Sequence, residues 1–320
     1  AEAKHGMTTR LILCFLRHLD EAAAFATLRA AEPWLGRIVG VGLDSSELGH
    51  PPEKFARVFA RAGDMGLRRV AHAGAQVKPQ RTTAGATPPQ SILWVGNSFF
   101  YYNNSMHTQF INFVKAADAE ARPRGTSVTI SGSGMDWHDM ESYFRPNGIG
   151  RYSFVGDNEI VFNKPGRQFD GVIMMDCSQC PIHPQLKDSF YQFTKKQGDT
   201  VVKNGAVPLL FMSWAYKDKP EMIHALADAY TTAGNDNNML VIPAGLAFAR
   251  AVAQRPQLEL YQPDKRHPSP AGTYLAVSTV YGALYGKSPV GNRYLAGLDA
   301  ATAEFLQTVA WETIREYYGK

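Results

Sequence analysis

From residue 91 onward, short apolar runs alternate with longer stretches of helical period. The runs fall at 91–95, 127–131, 171–175, 207–212 and 239–242. The helical patterns fall at 105–121, 185–203 and 219–233. A chain that repeats strand, helix, strand uses each helix as a crossover, and such crossovers lay the strands parallel. The expected fold is therefore α/β, a three-layer α/β/α sandwich around a parallel sheet. Ligands of such sheets bind at the carboxyl ends of the strands.

Residues 77–90 read VKPQRTTAGATPPQ, rich in Pro, Thr, Gly and Ala and without a hydrophobic period. They read as a linker between an N-terminal piece, 1–76, and a larger domain, 91–320. The first piece also mixes strand runs (11–15, 38–43, 69–73) with helical patterns (21–31, 52–63). It is a small α/β fragment, too short to cover the edges of its own sheet.

Composition narrows the function. Hydrophobic residues make up 45% of the 320, enough for a sizeable core. The net charge is +4 with no Lys/Arg block, so nothing supports nucleic-acid binding. No apolar run reaches about 18 residues, so no membrane span is expected, and no signal peptide is visible at the start. Of three cysteines, Cys14 lies in an apolar run that reads as a buried strand. Cys177 and Cys180 form a CxxC, read first as two small loop residues, with a disulfide or redox pair as alternatives. No second Cys pair or spaced His pair accompanies it, so zinc is not expected there.

Two motifs carry chemistry. In ILWVGNSFF an apolar run ends in Gly96-Asn97-Ser98 and the chain turns toward a helix. A serine at that turn faces the open edge of the sheet, with backbone N–H groups nearby to meet an oxyanion. No GxSxG elbow occurs, which argues against an α/β-hydrolase. The second motif, Asp264-Lys-Arg-His267-Pro-Ser-Pro, puts a carboxylate and an imidazole on one side of a tight turn. Asp264 can accept from Nδ1 of His267 and leave Nε2 free to take a proton. Ser269 and Pro270 then open a helix whose Tyr274, Val277, Tyr281 and Leu284 form a core face.

A GNS at a strand end, followed late in the chain by DxxHP, resembles the first and last blocks of the SGNH (GDSL-like) hydrolases over about 91–289. Asn97 stands where many members have Asp. The resemblance implies a serine esterase working through an acyl-enzyme, with Ser98 as nucleophile, His267 as base and Asp264 as orienting acid. It implies an oxyanion hole from the Ser98 N–H, the Gly132 N–H (Gly134 as alternative) and a side chain after the third strand. The usual GxND is absent there. Gln179 is the substitute, with Ser178 second. Trp137, His138, Trp214 and Tyr216 are candidate substrate contacts. The resemblance implies no cofactor and no metal, and a small or polymeric ester as substrate. The irregular third block supports a competing reading, a binding protein of the same fold without catalysis.

The stretches LILCFLRHLDEAAAF, GLDSSELGHPPEKFARVFARA and GLRRVAHAGA resemble the middle of an adenosine deaminase barrel. His72 matches a metal ligand of that family's HAGE motif, but Ala75 replaces the Glu that moves protons. No HxH occurs anywhere in the chain. A zinc deaminase needs several ligands and an acid/base, so 1–76 is expected to be a non-catalytic fragment.

Overall fold

A computed structural model describes residues 11–44, 52–69, 77–85, 87–145, 148–149, 152–156, 159–162 and 168–319. The chain divides into two compact units, Ala1–Gln76 and Val77–Lys320.

In the first unit, strands β1 (Leu11–Leu16), β2 (Ile38–Asp44) and β3 (Arg68–Arg69) form a parallel sheet in that order. Helices α1 (Glu21–Ala31) and α2 (Ala56–Asp64) complete it. Asp20 caps α1 by accepting from the Ala23 N–H at 2.8 Å. The Glu21 carboxylate accepts from the Arg57 and Val58 N–H groups and from the Arg57 guanidinium, tying α1 to α2. Phe15, Leu28, Val41, Leu43, Phe55 and Val58 form the core. Leu11, Ile12 and Leu16 stay exposed, and Cys14 is half-buried rather than buried, because only one face of this strand is well covered. His72 and Ala75 lie outside the described residues.

The second unit holds the five-stranded parallel sheet. Its strands are β4 (Ser91–Gly96), β5 (Arg124–Thr129), β8 (Gly171–Met174), β9 (Val207–Phe211) and β10 (Leu240–Ile242). Their spatial order is β10-β9-β8-β4-β5. A short helix, α5 (Met140–Tyr143), and a separate antiparallel pair, β6 (Tyr152–Gly156) and β7 (Glu159–Phe162), follow β5 in the chain.

Strand β4 shows why the sheet needs two covered faces. All six of its residues are buried, and in a strand successive side chains point to opposite faces. Ile92 and Trp94 join one core with α4 (Met106–Ala117), α8 (Ala244–Gln254), α9 (Pro270–Tyr285) and α10 (Ala300–Tyr318). Leu93 and Val95 join the other with α6 (Lys187–Lys203) and α7 (Met222–Asp236). The result is a three-layer α/β/α sandwich. Helix α9 buries Tyr274, Val277, Tyr281 and Leu284 as its spacing predicts, but nearly every other side chain is buried too, because α10 packs over its outer face.

The Pro- and Thr-rich stretch has no helix or strand, yet it is bound along its length to the second unit. The Val77 N–H reaches Asp228, the Gln80 N–H reaches Asn235, and Arg81 donates to the carbonyls of Asn238 (2.7 Å) and Ala84 (3.1 Å). Ala84 is part of the core, and Pro89 packs on Gly171, where a side chain would collide with it. The segment therefore belongs to the second unit rather than hanging between two. A chain beginning at Val77 is expected to melt like the second unit of the intact protein. One beginning at Ser91, without the Arg81 contacts, should lose about 2–4 kcal/mol. Calorimetry of both would check this, and equal melting of the two would refute it.

Candidate active site

Strand β4 ends at Gly96 and the chain turns at once into a short helix, α3 (Ser98–Tyr101). Asn97 makes the turn. Its side-chain oxygen accepts from the Phe99 N–H at 3.2 Å, while its amide donates to the carbonyls of Ser133 (3.0 Å) and Asp176 (3.1 Å). One buried amide thus joins the loops that follow β4, β5 and β8. An aspartate, with acceptors only when ionised, could not make those two donations. Ser98, next in the chain, is 7% exposed.

Nε2 of His267 lies 2.7 Å from Oγ of Ser98, and its Nδ1 is hydrogen-bonded to Oδ2 of Asp264. Oδ1 of Asp264 accepts from the backbone N–H groups of Arg266 (2.9 Å) and His267 (3.0 Å). Burial by itself would raise the Asp264 carboxyl. The His267 hydrogen bond and these two N–H groups outweigh it and hold the pKa down at about 2. Asp264 therefore stays ionised across the range in which proteins work. The turn runs directly into α9. The Ser269 hydroxyl accepts from the Gly272 N–H at 3.1 Å and donates to the Glu259 carbonyl at 2.7 Å, capping the helix.

Two further residues brace this arrangement, Tyr102 directly and Asn103 through the turn after His267. The Tyr102 ring stacks on the His267 imidazole, 4.2 Å between centroids and 10° from parallel. Asn103, in the left-handed region at φ +54°, donates to the Pro268 carbonyl (2.9 Å) and the Thr273 hydroxyl (2.8 Å). The Asn103-Asn104-Ser105 run, all at positive φ, was the available signal, since Asn is among the few residues that tolerate that conformation.

The oxyanion candidates divide. The Ser98 N–H, at the start of α3, finds no acceptor among the described residues. Gly132 sits exposed on the loop after β5 at φ +72°, a conformation that favours glycine. Gly134 is buried, with the Asp136 and Asp176 carboxylates pressed against it. Gln179 is exposed, and its amide has no described partner. The Ser178 hydroxyl is engaged with the Tyr216 hydroxyl at 2.7 Å.

Three of the expected substrate contacts, His138, Trp214 and Tyr216, are corrected, Tyr216 being 5% exposed with its hydroxyl on Ser178. His138 is buried, with Nε2 near the Ser133 hydroxyl (3.1 Å) and the Gly96 carbonyl (3.2 Å) and Nδ1 near the Tyr143 hydroxyl (3.0 Å). It staples the loop after β5 to the end of β4. Trp214 is 0% exposed, stacked between Phe99 and Phe248. Trp137, 60% exposed, is open to a ligand. Cys177 and Cys180 are joined as a disulfide rather than being two unlinked loop residues. They and Asp176 form the only group of potential metal donors close together among the described residues. With both sulfurs in the disulfide, no thiolate is offered.

Residues 1–84 match the adenosine deaminase family. The adenine deaminase of Sphingopyxis alaskensis is 68% identical over 80 residues, 25% of this chain and 24% of the relative. That of Caulobacter vibrioides is 62% identical over 79 residues, 25% of this chain and 23% of the relative. The chain thus spans about a quarter of the length of the curated relatives it matches. Similar solved structures include a Slackia heliotrinireducens protein classed provisionally with the SGNH hydrolases (TM-score 0.46, 19% identity, covering 60% of this chain and 97% of that one). A DUF4886 family protein from Bacteroides uniformis gives a TM-score of 0.46 at 18% identity, over 70% and 93%. A catalytic mutant of an acetylxylan esterase from Geobacillus stearothermophilus gives 0.45 at 14%, over 63% and 96%.

Asp176, where β8 enters the site, is 3% exposed, and its carboxylate accepts from the Cys177 and Met135 N–H groups. Burial outweighs these bonds and raises its pKa to about 6. A raised carboxyl pKa means the folded protein keeps a proton that the unfolded chain loses near pH 4. Stability contributed here is greatest in acid and falls as pH rises from about 4 to 6. From that shift the loss is roughly 3 kcal/mol. Asp176→Asn, always neutral and still an acceptor for both N–H groups, is expected to abolish this fall. Urea unfolding of both proteins at pH 4 and pH 7 would show it. Identical pH slopes would count against it.

Proposed function

We propose that this chain is a serine esterase that hydrolyses carboxylic esters through an acyl-enzyme. The observation that carries the proposal is the continuous hydrogen-bonded line Asp264–His267–Ser98, set where the sheet order reverses, the usual ligand position in such folds. Oγ of Ser98 attacks the ester carbonyl carbon as its proton passes to Nε2 of His267. The carbonyl oxygen becomes an oxyanion. The Ser98 and Gly132 N–H groups are its proposed donors, with the free amide of Gln179 as the third. The tetrahedral species collapses, His267 returns the proton to the departing alcohol, and the acyl group remains on Ser98. Water, deprotonated by His267, repeats the sequence and releases the acid.

The ionised Asp264 does two things in this scheme. It fixes the tautomer with the proton on Nδ1, leaving Nε2 able to accept, and it stabilises the imidazolium that forms as Ser98 attacks. The first unit takes no part in the reaction as proposed. Ala75 in place of the family's Glu leaves its deaminase-like segment without a proton shuttle.

Hydrolysis of short- and medium-chain p-nitrophenyl esters tests the proposal. Ser98→Ala and His267→Ala are expected to lower kcat by about 10⁴-fold or more while staying folded. Gln179→Ala, if that amide is the third donor, should lower kcat about 10²-fold. An intact protein that neither turns over these esters nor reacts with a fluorophosphonate at Ser98 would overturn the reading, as would full activity in Ser98→Ala.

A further inference from the structure

We infer that Trp214, which does not line the site, is the positioning residue that sets His267 against Ser98. The inference rests on the esterase reading above and concerns how its nucleophile and base are held at one distance. Ser98 and His267 come from opposite ends of the second unit's sequence, so something between them must fix their separation. Trp214 touches the neighbours of both. Its ring lies parallel to that of Phe99, the residue after Ser98, with centroids 4.6 Å apart and planes within 1°. Its indole N–H donates to the carbonyl of Arg266, the residue before His267, at 2.9 Å. Phe248 of α8 backs the other face of the indole at 4.2 Å. Phe99 in turn meets the His267 imidazole edge-on at 5.5 Å.

The loop that carries Trp214 is itself a cradle for the Asp264–His267 turn. The Lys217 N–H donates to the Lys265 carbonyl at 2.9 Å. The Arg266 guanidinium sits over the Tyr216 ring at 4.8 Å, and Lys265 pairs with Asp218. The Tyr261 hydroxyl donates to the Ala215 carbonyl at 3.0 Å, joining the segment before the turn to the same loop. Most of these contacts are at the surface and individually weak. The Trp214 indole is itself 0% exposed, and losing its N–H takes that partner from the Arg266 carbonyl. The loop is seated by Gly245, whose missing side chain lets α8 press on the Ser213 carbonyl; a Cβ there would lie 2.2 Å from it.

The test uses the full chain and removes the N–H with as little change of packing as possible. Trp214→Phe keeps a stacked ring. Replacement of Trp214 by β-(3-benzothienyl)alanine keeps the whole shape and loses only the donor. Phe190→Leu, in the core on the other side of the sheet, controls for lost stability. Both Trp214 variants are expected to lower kcat on a p-nitrophenyl ester by about 10- to 100-fold, the scale of a small misplacement of reacting groups. KM should stay within about twofold, because substrate binding is untouched. Labelling of Ser98 by a fluorophosphonate should slow in parallel. If Trp214→Phe fails to fold, the isosteric replacement decides. A fall in kcat no larger than that of Phe190→Leu, or a fall shared equally with KM, overturns the inference alone, provided Ser98→Ala is inactive. Activity that survives Ser98→Ala overturns the esterase reading and this one together.

Discussion

The site depends on a reversal in strand order. β4 pairs with β5 on one side and β8 on the other, so the chain leaves β4 in one direction and returns past it in the other. Parallel crossovers are right-handed, and this reversal therefore sends the helix after β4 to one face and those after β8 and β9 to the opposite face. The loops at the carboxyl end of β4 diverge and leave a gap. Ser98 stands at that gap, and the Asn97 amide bridges it by donating to both neighbouring loops. A polar side chain so deeply buried is tolerated because each of its groups has a partner.

The other half of the relay arrives from far along the chain, and its placement rests on burial. Helix α9, which begins three residues after His267, is enclosed on nearly every side. Such a helix cannot slide without disturbing both the sheet and α10, so the turn ahead of it is anchored at one end by packing. At the other end it is anchored by the loop after β9. Between the two anchors, Asp264 converts a short loop into a rigid one by accepting from two of the turn's own N–H groups while holding the imidazole. Lys265 pays for this geometry with a left-handed backbone at φ +65°.

The two units obey the same rules at different scales. The second has strands covered on both faces and a continuous core on each side. The first is a three-stranded sheet with its helices on hand, and it leaves Leu11, Ile12, Leu16 and Val39 exposed. Its match to adenine deaminases spans about a quarter of those proteins, which accounts for strand and helix signals that are locally sound in a unit too small to cover its own sheet.

Strand positions were legible wherever a run was buried on both faces, as at β4, β8 and β9, because an unbroken apolar segment admits few alternatives. At the sheet edge the signal drifted. The apolar run at 127–131 marks β5, but pairing with β4 begins at Arg124, since an edge strand needs fewer apolar residues. Helices α8 and α10 and the β6–β7 pair were not read from the sequence, although α8 buries Ala244, Ala247, Phe248 and Ala251 along one face. Ser98, Asp264 and His267 could be nominated from the sequence because each sits in a local turn whose chemistry is written in adjacent residues. Their approach to within hydrogen-bond distance, the burial of Trp214 and His138, and the bond between Cys177 and Cys180 could not. An aromatic residue after a strand reads the same whether it lines a cleft or fills a core. The difference is set by what packs over it, here Phe99 and Phe248, which come from segments distant in sequence and are brought together by the burial of both faces of one sheet.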